Sequence, residues 1–268
     1  MKRGVEMSYL VIKCGGSIVD ELPESFFQDL VKLQTKQKIK PIIVHGGGPM
    51  ITSQLKLMNV KTTFVDGLRV TTREVLDVVE MVLSGSVNKK IVRRMIDQDA
   101  NVIGMSGIDG QLLEATPIED VDKYGYVGQI KSVNVKLIKS LLDQDYIPVI
   151  SPIAIGEDHQ HYNINADVAA SAIASSLQAP LCFISDIPGV LVNDEVLHYA
   201  DQIKIEQLIE DQTINGGMIP KVQAALSALK AGAPEVSIIN GMDEHALFDF
   251  VQDEKIGTRI QLKEISYV

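Results

Sequence analysis

Six short runs rich in β-branched residues recur along this chain: YLVIK (9–13), PIIVH (41–45), NVIGM (101–105), IPVIS (147–151), LCFISD (181–186) and EVSIIN (235–240). Between them lie stretches of helical periodicity at 24–37, 49–59, 72–97 with an interruption at Gly85, 135–143, 165–177 and 217–231. A run apolar on both faces cannot sit in a sheet with one wet side. Such runs alternating with helices predict α/β architecture: an open, mainly parallel sheet sandwiched by helices. In such sheets ligands bind at the carboxyl ends of the strands, where loops turn into helix N-termini. Two hairpin-like stretches, 111–116 and 126–133, interrupt the alternation. At 268 residues the chain is long for one core and short for two independent ones. Two lobes sharing a cleft are expected, 1–165 and 166–268, with the active site between them at the strand ends.

The formal net charge of −10 argues against nucleic-acid and membrane-surface partners, which call for broad basic patches. No run approaches the ~18 apolar residues of a membrane span, and no signal core follows the opening MKRGVEMS. Cys14 and Cys182 lie far apart inside apolar runs, which favours two buried reduced thiols in a cytoplasmic protein over a disulfide. No Cys/His cluster has metal spacing, so no protein-built metal site is expected. In a chain this acidic, an anionic substrate needs a few placed cations and backbone N–H groups to reverse the field locally.

The residues after each run supply them. Lys13-Cys14-Gly15-Gly16-Ser17 follows the first and His45-Gly46-Gly47-Gly48-Pro49 the second. Glycines there let backbone N–H groups approach a phosphoryl oxygen, and a helix N-terminus adds a favourable field. Pro49 suits a first helical turn. Neither loop matches GxxxxGK[ST] or GxGxxG, which excludes a P-loop enzyme and disfavours a dinucleotide-binding one. Lys221, in NGGMIPK, stands in a first helical turn and opposes the helix dipole by about 0.3–1 kcal/mol. Alone it reads as a solvated lysine; a nearby phosphate would remove the conflict. Asn163, Asn165 and Asp167 crowd one strand–helix junction, beyond what capping requires. Arg69, in DGLRVT, has the planar fork best suited to a carboxylate.

Taken in order, KCGGS, HGGGP, DGLRVT, NINAD, SDIPGVL and INGGMIPK resemble the amino acid kinase family, over about residues 9–260, and SGSVNKK (84–90) is similar to its long helix. The branch resembled phosphorylates the side-chain carboxylate of N-acetyl-L-glutamate with ATP, an early step of arginine synthesis. The alternatives are a kinase for a longer homologue such as acetylaminoadipate, or a sensor of amino acid or nucleotide without turnover. The resemblance implies catalytic roles for Lys13, Lys221, Asp167 and Gly16. Lys13 would touch the transferred phosphoryl, Gly16 and Gly47 would donate backbone N–H groups to it, Asp167 would hold the lysines, and Lys221 would act on the nucleotide side. Gly47, Gly48, Arg69 and Asn163 would bind the acylated amino acid, Arg69 at its α-carboxylate. Asp186, Ile187, Pro188, Gly189, Val190, Leu191, Thr213, Ile214 and Asn215 would line the ATP pocket, with Mg2+ carried on the nucleotide phosphates. His45, beside the glycines, is expected to be structural. A homodimer is implied through the first lobe. Only Met1–Ser8 precede the first strand, so the helix that joins arginine-sensitive relatives into hexamers is not expected, nor is inhibition by arginine.

Overall fold

A computed structural model describes residues 8–262 and places eight strands in one sheet. Their order is Tyr199–Asp201, Thr258–Gln261, Val236–Asn240, Leu181–Ser185, Tyr9–Cys14, Lys40–His45, Ile147–Ser151 and Val102–Ser106. Every neighbouring pair from Val236–Asn240 to Val102–Ser106 is parallel. Thr258–Gln261 runs antiparallel to Val236–Asn240 and parallel to Tyr199–Asp201. The strands before residue 165 occupy one side of the sheet and those after it the other; Tyr9–Cys14 and Leu181–Ser185 meet at the centre.

Successive residues on a strand point to opposite faces, so each central strand feeds two cores. Val11, Ile42 and Val44 pack with Ala169, Ala170 and Ile173 of the helix Ala166–Leu177. Leu10, Ile12 and Ile43 pack with Phe26, Phe27 and Leu30 of Glu24–Gln37. The strands Ile147–Ser151 and Leu181–Ser185 are buried throughout, which is why they read as unbroken apolar runs. Cys14 and Cys182 are buried free thiols on adjacent strands; burial raises Cys14 to about 12 and pushes Cys182 up as well. No helix among the described residues is long and apolar enough to cross a membrane.

Several expectations are corrected. The segment around Gly85 does not break its helix: Arg73–Glu80 passes into a π-helical Met81–Val87 and then into Asn88–Ile96 without leaving helical backbone. The two hairpin-like stretches pair with each other, Leu113–Pro117 antiparallel to Gly128–Val133, in a separate four-stranded sheet with Ile153–Ile155 and His161–Asn163. Helices Gln202–Glu210 and Ala246–Val251 and the strand Thr258–Gln261 are additional to those predicted. The expectation about the segment ahead of the first strand falls on residues 1–7, outside the described residues.

Candidate active site

The register Lys13↔Val44, Cys14↔His45 sets the two glycine loops side by side at the carboxyl ends of their strands. Gly46 N–H donates to the Cys14 carbonyl at 3.1 Å, tying one loop to the other. A Cβ at Gly16 would overlap the Gly47 amide nitrogen, and one at Gly47 would stand 2.7 Å from Leu83 Cδ2. Backbone-to-backbone approach this close requires glycine. Gly47 leads directly into Gly48–Leu57, with Pro49 in its first turn, so amide N–H groups of that helix end face the loop.

Lys13 Nζ lies 2.8 Å from Asp167 Oδ1. That oxygen is buried and meets no donor in good hydrogen-bond geometry, so the ion pair is what compensates it. Asp167 is placed by the N-cap of Ala166–Leu177, where Asn165 Oδ1 accepts from the amides of Asp167 at 2.8 Å and Val168 at 3.4 Å.

Arg69 ends a two-stranded hairpin, Phe64–Val65 against Leu68–Arg69, whose turn residues Asp66 and Gly67 have φ of 50° and 79°. Its guanidinium donates to Thr62 Oγ1 at 3.1 Å, Gly48 O at 3.1 Å and Thr52 Oγ1 at 2.8 Å, and stacks 4.6 Å from the Phe64 ring centroid. All four partners are neutral, the residue is 7% exposed, and burial lowers its pKa from the ordinary value. A buried cation with neutral partners is incompletely compensated, which makes the space beside it favourable for an anion. Asn163 joins the same wall: its amide donates to Thr71 Oγ1 at 3.1 Å, and that hydroxyl donates to Arg69 O at 2.8 Å. Lys13, Gly16, Gly47, Gly48, Arg69, Asn163 and Asp167 thus line one cleft of about 220 Å³.

A second pocket of about 520 Å³ is lined by Asp186, Ile187, Gly189, Leu191, Thr213, Ile214, Asn215 and Lys221. Lys221, in the first turn of Met218–Lys230, donates to Ser185 Oγ at 2.5 Å and Asp186 Oδ1 at 3.3 Å. Asp167 therefore lies against Lys13, and Lys221 against Ser185 and Asp186. The Asp186 backbone amide and the Lys221 ammonium hold the Asp186 carboxyl below its usual range. Two residues expected in this wall are elsewhere. Pro188 is exposed and outside the pocket. Val190 is fully buried, because Gly189 at φ 140° turns the chain inward and Val190 N–H bonds Thr258 Oγ1 at 2.8 Å.

The register Cys14↔Ile184 brings the two sites together, since Lys13 and Ser185 then close adjacent parallel strands. The sequence reading missed the hydroxyls Ser185, Thr52 and Thr62, whose roles are set by tertiary contact. It also passed over Asn88, for which a signal exists: an amide at a fully buried helical position, one turn before Ile91. His45 is fully buried and burial lowers its pKa to about 4, which leaves it neutral and structural. Among the described residues no cluster of His, Cys, Asp and Glu could hold a metal ion.

The sequence model of the amino acid kinase family matches residues 8–240. The acetylglutamate kinase of Bacillus cereus (strain ZK / E33L) is 48% identical over 94% of this chain and 96% of its own length. The acetylglutamate kinase of Geobacillus stearothermophilus is 52% identical over 87% of this chain and 90% of its own. Among solved structures, the protein smu.665 of Streptococcus mutans UA159 superposes with a TM-score of 0.81 at 28% identity, covering 96% of this chain and 99% of that one.

Proposed function

The chain belongs to the amino acid kinase family, and from that membership we propose that it transfers the γ-phosphoryl group of ATP to the side-chain carboxylate of N-acetyl-L-glutamate. The product is N-acetyl-L-glutamyl 5-phosphate, an early intermediate of arginine biosynthesis. The observation that carries this reading is the pair of ammonium groups brought to the carboxyl ends of adjacent strands, Lys13 against Asp167 and Lys221, from its helix, against Ser185 and Asp186, with the glycine loops beside the first. The extent of the match to acetylglutamate kinases supports the substrate.

A carboxylate is already a nucleophile at neutral pH, so the reaction needs no general base. A carboxylate oxygen bonds to the γ-phosphorus, the bond to the bridging oxygen breaks, and ADP leaves with the electron pair. The obstacle is an anion approaching a polyanion, which is met by positioning and by charge stabilisation on the equatorial oxygens. In our assignment Lys13 and the amides of Gly16 and Gly47 meet those oxygens, while Asp167 fixes Lys13. Gly47, Gly48 and Asn163 cradle the acylated amino acid, and Arg69 takes its α-carboxylate. Lys221 acts on the nucleotide side, and the pocket from Asp186 to Leu191 with Thr213, Ile214 and Asn215 receives ATP. Pro188 and Val190 are left out of its wall. Mg2+ rides on the nucleotide phosphates. The lobe of residues 1–165 binds the amino acid and pairs two chains, the lobe of 166–268 binds ATP, and the enzyme works as a cytoplasmic homodimer.

Hydroxylamine trapping of the acyl phosphate, with ATP and a panel of acylated acidic amino acids, tests the reaction. Hydroxamate from acetylglutamate is expected; its formation only from acetylaminoadipate, or from nothing, overturns the assignment. Light scattering tests the dimer, and a single chain mass would remove it.

A further inference from the structure

His45 and Asn88 are both fully buried, yet they sit directly behind the glycine loop. His45 Nδ1 lies 3.1 Å from the Gly46 carbonyl and His45 Nε2 lies 3.2 Å from Asn88 Nδ2. The partners decide the tautomer. A carbonyl can only accept and an amide NH2 can only donate, so Nδ1 carries the proton and Nε2 accepts. The Asn88 amide is oriented in turn, because its nitrogen also lies 2.9 Å from Val149 O and 3.3 Å from Met105 O, so that three acceptors share its two N–H groups, and its oxygen accepts from Lys89 Nζ at 3.0 Å. Gly104 makes room for this amide, since a Cβ there would collide with Asn88 Oδ1. Asn88 thus links Lys40–His45 to the two strands beyond it, Ile147–Ser151 and Val102–Ser106.

The chain's trans peptide geometry gives this network a consequence for the cleft. The carbonyl of Gly46 and the N–H of Gly47 belong to one planar peptide and point in opposite directions. A bond that holds the carbonyl toward His45 therefore turns the Gly47 N–H away from it, to the side where Gly16 presses on the Gly47 nitrogen and the cleft opens. Glycine peptides resist rotation weakly, so a loop of three glycines has little of its own to keep that N–H aimed. We propose that His45 and Asn88 are positioning residues that lock the Gly46–Gly47 peptide with its N–H directed at the phosphoryl group in transfer. This rests on the kinase reading above and adds two residues that do not touch substrate.

The test compares His45→Asn, whose amide can still donate to Gly46, with His45→Leu, which cannot. His45→Leu should lower kcat by about tenfold, less than the roughly hundredfold cost of losing an aimed donor outright because the loosened N–H still visits its place, with a smaller change in KM for acetylglutamate; His45→Asn should recover most of that loss. Equal kcat in all three proteins, or equal losses in both variants with parallel drops in melting temperature, overturns the proposal. Asn88→Asp supplies a second reading if His45→Leu does not fold. A carboxylate there only accepts, so a neutral His45 turns its Nε2–H to it and loses the Nδ1–H that Gly46 needs, whereas a protonated His45 donates from both nitrogens; the charged group facing the pair is Lys89. Its kcat should rise as pH falls where the parent's stays flat, and a flat profile counts against the network. The backbone amide signal of isotope-labelled glycine in the free protein separates this inference from the kinase reading. The Gly47 signal should be a single sharp peak in the parent and exchange-broadened or doubled in His45→Leu, and an equally sharp single peak shows that His45 does not hold the peptide, whatever the enzyme's substrate.

Discussion

Arg69 in the cleft and Lys221 in the pocket are the two cations proposed to meet an anion beside the Lys13 pair, yet the fold holds them differently. Arg69 is 7% exposed, bonded to three oxygens and stacked on Phe64. Lys221 has 37% of its side chain exposed and leans on Asp186, which is 67% exposed. In the cleft the ordering of the side chain is complete before any ligand arrives. In the pocket, Lys221 bonds the buried Ser185 hydroxyl and an Asp186 carboxylate that water also reaches, so it can exchange Asp186 for a phosphate at little cost. Under the proposed assignment, the difference suits a small substrate gripped at one fixed carboxylate on one side and a larger nucleotide on the other.

The comparison is tested most strongly at the lysines. Lys13→Ala and Lys221→Ala should each lower kcat about a hundredfold, or roughly 3 kcal/mol of transition-state stabilisation. Only Lys13→Ala should also lower the melting temperature, because it alone strands a buried carboxylate oxygen, that of Asp167. Near-normal turnover in both variants would sink the mechanism, and equal melting losses would erase the contrast between the two sites.

Acid should reach the cleft before the pocket. His45 has a folded pKa of about 4 against an ordinary 6.5, so the unfolded chain takes up the proton first. The linked stability is complete above about pH 6.5 and is lost as pH falls toward 4, at up to about 1.4 kcal/mol per pH unit and about 3 kcal/mol in all. Denaturant titrations of the parent and of His45→Asn should diverge across that window and run parallel above it. If the two track each other down to pH 4, His45 is not held neutral by burial.

Arg69→Lys should raise KM for acetylglutamate about tenfold with little change in kcat, since a lysine replaces the fork with a point charge and cannot keep three acceptors. Steady-state kinetics that show only the KM for ATP moving would place the α-carboxylate elsewhere.

What the sequence disclosed follows from where side-chain type alone settles structure. Strands buried on both faces and glycines at strand ends are local signals, so the central sheet and the cleft's glycine loops were legible. QIKIEQLIE was not, because the alternation of Ile203 and Ile205 mimics a strand; only Ile205 and Leu208, one helical turn apart, are buried. The strand Thr258–Gln261 hides behind Arg259, whose charge is compensated by Glu235 at 2.9 Å, a pairing no local pattern reveals. Val190 was misplaced for a related reason. The motif fixed its position in the chain, but the turn at Gly189 decides which way its side chain faces.

The smallest effect is expected at the tip of the hairpin that carries Arg69. Asp66 Oδ2 accepts from Lys123 Nζ at 2.8 Å and Tyr124 Oη at 2.6 Å, and those bonds hold the Asp66 carboxyl below its usual range. They also fasten the hairpin to the short helix Val121–Tyr124. The contact resembles a latch, but Asp66 is 67% exposed and Lys123 41%, so water competes for both partners and salt screens them. The buried contacts of Arg69 at the hairpin's base are left to set its position. Asp66→Asn should therefore raise KM for acetylglutamate by less than about fivefold, with the difference shrinking as salt is added. A larger, salt-insensitive rise would show that the hairpin is held from its tip, and the rigidity attributed to the cleft would then come from a surface contact rather than from burial.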